Sequence, residues 1–157
     1  MIEQIRFCMA KDDVRYYLNG MFLEITPKYI RTVATDGHRL AMSTMLLNEC
    51  MSTLLCSIII SKQGILELLR LLTKSKNLIK VLISNNTFRI CTKKFLFTTK
   101  LIDGTFPNYK NVLLEKVDVI LKINVSKLKQ VLLRVALLSD KQFRGVEFDI
   151  NQKIVNT

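Results

Sequence analysis

Ala34-Thr35-Asp36-Gly37-His38-Arg39-Leu40-Ala41 is the stretch that decides most about this chain. Asp-Gly stands between two runs, 30–35 and 38–45, in which apolar residues alternate with others. That order predicts a β-hairpin closed by a two-residue turn, because Gly accepts the positive φ that such turns need. A turn so tight would gather Thr35, His38, Arg39 and Leu40 at one hairpin end, setting a hydroxyl, an imidazole, a guanidinium and an isobutyl group on one small surface. The cluster fits an acid–base site, a grip for a peptide, or an ordinary hairpin tip.

Further runs rich in β-branched and aromatic residues predict strands over 16–25, 31–46, 57–61, 80–84, 87–91 and 95–102. Asn85-Asn86 reads as a second tight turn. Two segments have helical spacing. In 63–74 the polar residues Gln63, Glu67, Arg70 and Lys74 recur every three or four positions, and leucines and isoleucine fill the rest. In 125–138 Ser126 is the expected N-cap, and Lys127, Gln130 and Arg134 form one stripe. Ile2, Ile5, Cys8 and Met9 suggest a third helical piece over 2–10. The sum is an α+β fold, antiparallel sheets with helices on one face.

The 157 residues suffice for one complete domain and part of a second. Hydrophobic residues make up 49% and glycine and proline are few, which argues against disorder. Runs such as Ile58-Ile59-Ile60 are too short to span a bilayer, and the N-terminus lacks the pattern of a signal peptide, so the reading is of a cytoplasmic protein. Cys8, Cys50, Cys56 and Cys91 are scattered and His38 is the only histidine, so neither a metal site nor a cofactor is expected and the cysteines read as small hydrophobes. A net charge of +11 suits a polyanion such as nucleic acid, and it equally suits drift towards Lys and Asn codons. An enzyme built on Asp36 and His38 is disfavoured. Residues i and i+2 of a turn rarely meet at one reacting atom, and no second carboxylate or nucleophile motif accompanies them.

The chain also echoes itself. Around 5–25 and again around 134–150, a helix end leads into a polar loop (Lys11-Asp12-Asp13; Asp140-Lys141-Gln142), then an apolar residue and Arg (Val14-Arg15; Phe143-Arg144), then a strand. The repeats lie about one domain length apart.

Four blocks in order carry a family likeness: Val14-Arg15-Tyr16-Tyr17-Leu18-Asn19-Gly20-Met21; Arg31-Thr32-Val33 continuing through Ala34 to Ala41; Lys100-Leu101-Ile102-Asp103-Gly104-Thr105-Phe106-Pro107-Asn108-Tyr109; and Arg134-Val135-Ala136-Leu137-Leu138-Ser139 with Phe143-Arg144-Gly145-Val146. In these the sequence resembles the bacterial sliding clamps, the β subunits of DNA polymerase III. The resemblance implies the DNA-clamp fold, helices lining the lumen of a ring around double-stranded DNA. It implies that 1–118 is a middle domain lacking its first strand, that 119–157 opens a third domain, and that the chain is a non-catalytic processivity factor. It further implies a groove for short linear motifs of the polymerase III catalytic subunit, the clamp loader and repair proteins. Matching that groove are Arg15, Leu18, Thr35, Gly37, His38, Arg39, Leu40, Pro107, Val112 and Phe143. Asn111 stands where family members often carry Arg. Tyr16, Tyr17, Lys62, Arg70, Lys74, Lys127 and Arg134 match DNA-facing positions, and a homodimeric ring is implied if the missing domains are supplied. Two alternatives remain: a truncated clamp fragment that makes no ring, and a stand-alone basic nucleic-acid-binding module.

Overall fold

A computed structural model describes residues 1–47, 55–72, 78–113, 120–138 and 146–148. The chain divides into two compact units, Met1–Val112 and Leu113–Thr157. The expected boundary at 118/119 lies outside the described residues, as do Lys74, Cys50, Phe143 and the polar loop of the second echo.

The first unit opens with α1 (Ile2–Ile5) and a 3-10 turn, Arg6–Cys8. The helical spacing over 2–10 thus becomes two short pieces. A second 3-10 turn, Tyr16–Leu18, stands where a strand is expected from residue 16. The reason is local. The Asn19 side chain accepts from the Asp13 N–H (2.9 Å) and donates to the Asp13 carbonyl (2.8 Å), closing a compact loop that holds 16–18 out of the sheet.

The strands β1 (Gly20–Ile25), β2 (Tyr29–Thr35), β3 (Leu40–Leu46) and β4 (Cys56–Ser61) form one antiparallel sheet in the order β3-β2-β1-β4. Helix α2 (Lys62–Leu72) follows β4 directly. Then β5 (Lys80–Ile83), β6 (Thr87–Cys91) and β7 (Leu96–Lys100) form a three-stranded antiparallel sheet. Asn85-Asn86 makes the expected two-residue turn, with the Ser84 N–H donating to the Thr87 carbonyl at 2.9 Å.

Strand alternation places apolar side chains on both faces of the first sheet. Met21, Leu23, Ala34 and Ile60 face the helices and pack with Ile5, Cys8, Met9, Ile65 and Leu68. Phe22, Val33 and Ile59 face the other way, onto Leu18, Phe106 and Tyr109, with the Phe22 and Phe106 rings stacked at 4.8 Å. Helix α2 buries Gly64, Ile65 and Leu68, and the two large side chains each contribute about 1.5–3 kcal/mol by leaving water. Gly64 allows that close approach, since a Cβ there would lie 2.7 Å from Thr99 Oγ1.

In the second unit α3 (Val125–Leu138) matches the expected helix span. Its cap is Asn124 rather than Ser126. The Asn124 side-chain oxygen accepts from the Ser126 and Lys127 N–H groups at 3.0 and 3.2 Å, which puts Ser126 inside the first turn. Among the described residues, no helix is long and apolar enough to cross a membrane and no cluster of three potential metal ligands comes together. Cys8 is buried and Cys56 and Cys91 are half-buried, all three as free thiols; burial pushes the Cys8 thiol up, partly offset by Arg39.

Candidate functional site

The Asp36-Gly37 hairpin is real, but its turn is centred one position later than expected: the Asp36 N–H donates to the Arg39 carbonyl at 3.4 Å, leaving Gly37 and His38 as the central residues. Thr35 pairs with Leu40, leaving Asp36, Gly37, His38 and Arg39 at the tip. Side chains brace this turn. The Asp36 carboxylate accepts from the His38 and Arg39 backbone N–H groups, each at 3.0 Å, and from Arg39 Nε at 3.0 Å. Thr35 Oγ1 accepts from the Gly37 N–H at 3.1 Å and donates to the Arg39 carbonyl at 2.8 Å. Gly37 takes φ +89°, as its residue type suggests.

Those bonds also decide the acid–base question. Burial would raise the Asp36 carboxyl, but the hydrogen bonds from His38 and Arg39 outweigh it and hold the group below its ordinary value. Asp36 bonds the His38 backbone, so its carboxylate is committed to shaping the turn. Such a group is a poor general base.

Arg15 joins the tip to the loop before β1. Its Nε and Nη2 donate to the two Asp13 carboxylate oxygens at 3.0 and 2.9 Å, and Nη2 also reaches the Asp36 carbonyl at 3.4 Å. The guanidinium holds the Asp13 carboxyl down to about 2. Arg39 lies over the Phe7 ring, 5.7 Å from its centroid.

These elements enclose a groove of about 240 Å³ lined by Arg15, Tyr17, Leu18, Thr35, Gly37, His38, Arg39, Leu40, Pro107, Tyr109 and Val112. Nine of the ten groove positions named from the sequence therefore share one cavity wall, and Phe143 falls outside the described residues. Leu18 and Tyr109, 2% and 5% exposed, give it an apolar floor, while His38, Pro107 and Val112 stand at the open rim. Asn111 is exposed in the same 3-10 turn as Tyr109 and Val112.

Two lining residues were not in the sequence-derived groove. Tyr17 was grouped with DNA-facing positions, and its ring stands edge-on to that of Tyr16 at 5.8 Å. Tyr109 was quoted in the family block without a role. Its hydroxyl donates to Glu24 Oε2 at 2.8 Å and accepts from Arg31 Nη1 at 3.0 Å, anchoring the groove floor to β1 and β2. Burial raises the Tyr109 phenol, and Arg31 opposes it. Its neighbour Pro107 was the one available signal, since the partners Glu24 and Arg31 lie some eighty positions away.

The remaining DNA-facing positions scatter. Tyr16 is exposed and packs over Gly104. Lys62 Nζ donates to the Met9 and Ala10 carbonyls, both at 3.1 Å, so much of its hydrogen-bonding capacity is used internally. Arg70 is exposed and paired with Glu67 at 2.9 Å. Lys127 and Arg134 are exposed on α3 in the other unit.

The family model for the DNA polymerase III beta subunit, central domain, matches residues 1–108. The chain belongs to the DNA polymerase III beta-subunit family. Among sliding-clamp relatives, the beta sliding clamp of Buchnera aphidicola subsp. Acyrthosiphon pisum is 49% identical over 150 residues, covering 96% of this chain and 40% of that one. The beta sliding clamp of Escherichia coli K12 is 42% identical over 152 residues, covering 97% and 41%. A DnaN sliding clamp from Pseudomonas aeruginosa bound to griselimycin superposes with a TM-score of 0.84 at 40% identity, covering 92% of this chain and 39% of that one. The sliding-clamp fold expected from the sequence is thus the fold observed. The chain spans about 40% of the length of the curated relatives it matches.

Proposed function

We propose that this chain serves as sliding-clamp sequence in replication, a non-catalytic processivity component that acts in the cytoplasm and docks partner proteins through the groove at the Thr35–Leu40 hairpin. Residues 1–118 would be its middle domain and 119–157 the opening of a third. The observation that carries the reading is the convergence of Leu18, Leu40, Pro107, Val112 and Tyr109 on one apolar slot beside the polar tip of Thr35, His38 and Arg39. A slot of that kind takes the leucine and phenylalanine anchors of a short linear motif, while backbone and side-chain groups of the tip meet its polar atoms. Partners of this chemistry are the polymerase III catalytic subunit and the clamp loader.

Titration of a fluorescent motif peptide with leucine and phenylalanine anchors tests the groove. Leu40→Ala is expected to weaken binding roughly tenfold, as the loss of one buried anchor contact does. His38→Ala should weaken it less. Equal affinity in the parent and both variants rules the groove out.

The DNA role of Tyr16, Tyr17, Arg70, Lys74, Lys127 and Arg134 belongs to the same proposal, as sequence-independent attraction to phosphate, with Lys62 contributing less because its Nζ donates to the Met9 and Ala10 carbonyls. Encircling a duplex needs a closed, symmetric ring built with clamp domains beyond those in this chain. A ring is retained on closed circular DNA and lost when the circle is cut. Salt-sensitive binding that ignores the cut would favour a basic binding module, and no retention at all would favour a fragment that makes no ring.

A further inference from the structure

The net charge of this chain is not spread evenly along it. Residues 1–67 carry seven Lys and Arg against seven Asp and Glu. Residues 103–157 carry nine against six, whereas 68–102 carry eight and no carboxylate at all. Most of the +11 therefore comes from one short segment. Drift towards Lys codons acts on the whole chain and gives no reason for the first 67 residues to stay balanced.

The second sheet sorts these cations onto one face. Phe88, Ile90 and Phe97 point inward and pack in one cluster with Ile65 and Leu68 of α2. Side chains alternate along a strand, so Arg89 and its pairing partners Leu82 and Thr98 point the other way. Lys80, opposite Cys91, and Lys100, opposite Thr87, share that outer face. Lys80 and Lys100 are the diagonal neighbours of Arg89 on its two sides, each about 7–8 Å away. The three make a row across all three strands, about 15 Å long. All of them are exposed, and the sheet belongs to the first unit.

Two more cations stand at the Lys80 end of the face. Lys93 and Lys94 are the central residues of the turn between β6 and β7, closed by the Thr92 N–H donating to the Phe95 carbonyl at 2.9 Å. Thr92 Oγ1 accepts from the Lys94 and Phe95 N–H groups at 3.2 and 3.0 Å, which fixes the turn with both lysines exposed. Arg89 Nε donates to Thr98 Oγ1 at 3.1 Å, which steadies the guanidinium and leaves its outer nitrogens open. Among the described residues none of Lys80, Arg89, Lys93, Lys94 and Lys100 is in an ion pair. Asp103 shares the lining of a cavity of about 650 Å³ with Lys100, so the row is weakest at that end.

A polyanion is the complement of such a face. None of its side chains is aromatic, so it offers no platform on which unpaired bases would stack. It suits the backbone of a duplex, which presents one charge per about 1.7 Å of axis and asks only for cations within reach. A further strand beside β5 would widen this face and leave it uncovered.

We propose that the Lys80–Arg89–Lys100 row, with the Lys93-Lys94 turn, is a contact surface for duplex DNA on the side of the second sheet away from the helices. It is separate from the peptide groove, shares no residue with the DNA-facing positions of the clamp reading, and needs no ring. Charge alone holds the duplex there, so binding is independent of base sequence and falls steeply with salt.

Fluorescence anisotropy of a short labelled linear duplex, titrated with the full chain over a salt series, tests the proposal. Lys80→Gln, Arg89→Gln and Lys94→Gln together should weaken binding roughly tenfold or more and lower the salt slope by about two to three, since each neutralised phosphate contributes about 0.9. A control chain with Arg6→Gln, Lys28→Gln and Lys110→Gln loses the same charge from exposed positions elsewhere, and its slope should fall by less than about one. Should Arg89→Gln disturb the sheet, the turn pair Lys93→Gln and Lys94→Gln decides alone, with an expected fall in slope of about one to two. No binding by the parent, or equal losses in the patch and control chains, would overturn the proposal. So would binding to vesicles of phosphatidylglycerol that the patch substitutions abolish while DNA binding stays unchanged. Such failures are distinct from failure of the clamp reading, which the peptide titration and retention on closed circular DNA test separately.

Discussion

Replacing Gly37 with alanine probes the hairpin tip where backbone and side-chain demands meet. Gly37 has φ +89°, a conformation that costs a residue with a Cβ about 1–2 kcal/mol. Alanine also stiffens the unfolded chain, which returns about 0.5 kcal/mol to the folded state. The added Cβ would lie 2.9 Å from Arg15 Nη2, so the guanidinium must shift from its place against Asp13 and the Asp36 carbonyl. That exposed, solvent-screened pair adds little to the cost. The net loss is about 1 kcal/mol, which at a urea m-value of about 2 kcal/mol/M moves the midpoint down by about 0.5 M. Peptide affinity in the anisotropy titration should fall roughly threefold, about 0.6 kcal/mol, because Arg15, Thr35 and His38 stand on the same wall. Gly37→Asn separates the two causes. Asparagine tolerates positive φ but still carries a Cβ, so it should recover most of the midpoint and little of the affinity. A Gly37→Ala chain with the parent's midpoint and affinity would refute the assignment of strain and of the Arg15 contact.

Other outcomes follow from the same geometry. Leu18→Ala, at a side chain 2% exposed beneath the groove, should cost about 2–4 kcal/mol in urea unfolding by leaving a cavity. Tyr109→Phe should lose about 1–2 kcal/mol, and a double-mutant cycle with Glu24→Gln should show coupling, since the phenol donates to that carboxylate; additive losses would sink the network. The Asp13 carboxyl titrates at about 2, below its unfolded value near 3.9. Its contribution is therefore complete above about pH 4 and is lost as pH falls through 2, which carboxyl chemical shifts followed by NMR can check. Lys62→Met should destabilise the fold by about 1–2 kcal/mol through the Met9 and Ala10 carbonyls it leaves unbonded. It should change the salt slope of DNA association much less than Arg134→Gln, for which a fall of about one is expected.

Sequence alone determined the elements whose signals are local. Alternation marked the strands, helical spacing marked α2 and α3, and Asn85-Asn86 marked a turn closed by its neighbours. The ordered blocks from Val14 to Tyr109 carried the family, and with it nearly all of the groove wall. Local signals failed where a side chain reached further than its neighbour. Asn19 bonding back to Asp13 turned an expected strand into a 3-10 turn, and Asn124 took the cap from Ser126. At Asp36-Gly37 the residues correctly announced a hairpin, while the turn's centre at Gly37-His38 is braced by the Asp36 and Thr35 side chains bonding the tip from within.

Tertiary structure alone decided what those residues touch. Tyr109 became the floor of the groove because Glu24 and Arg31, on strands far away in sequence, hold its hydroxyl. Lys62 changed from a candidate phosphate contact to an internal donor because folding brings the Met9 and Ala10 carbonyls beside it. Periodicity fixes which face a side chain takes. Which distant group it meets there depends on how the sheets and helices pack.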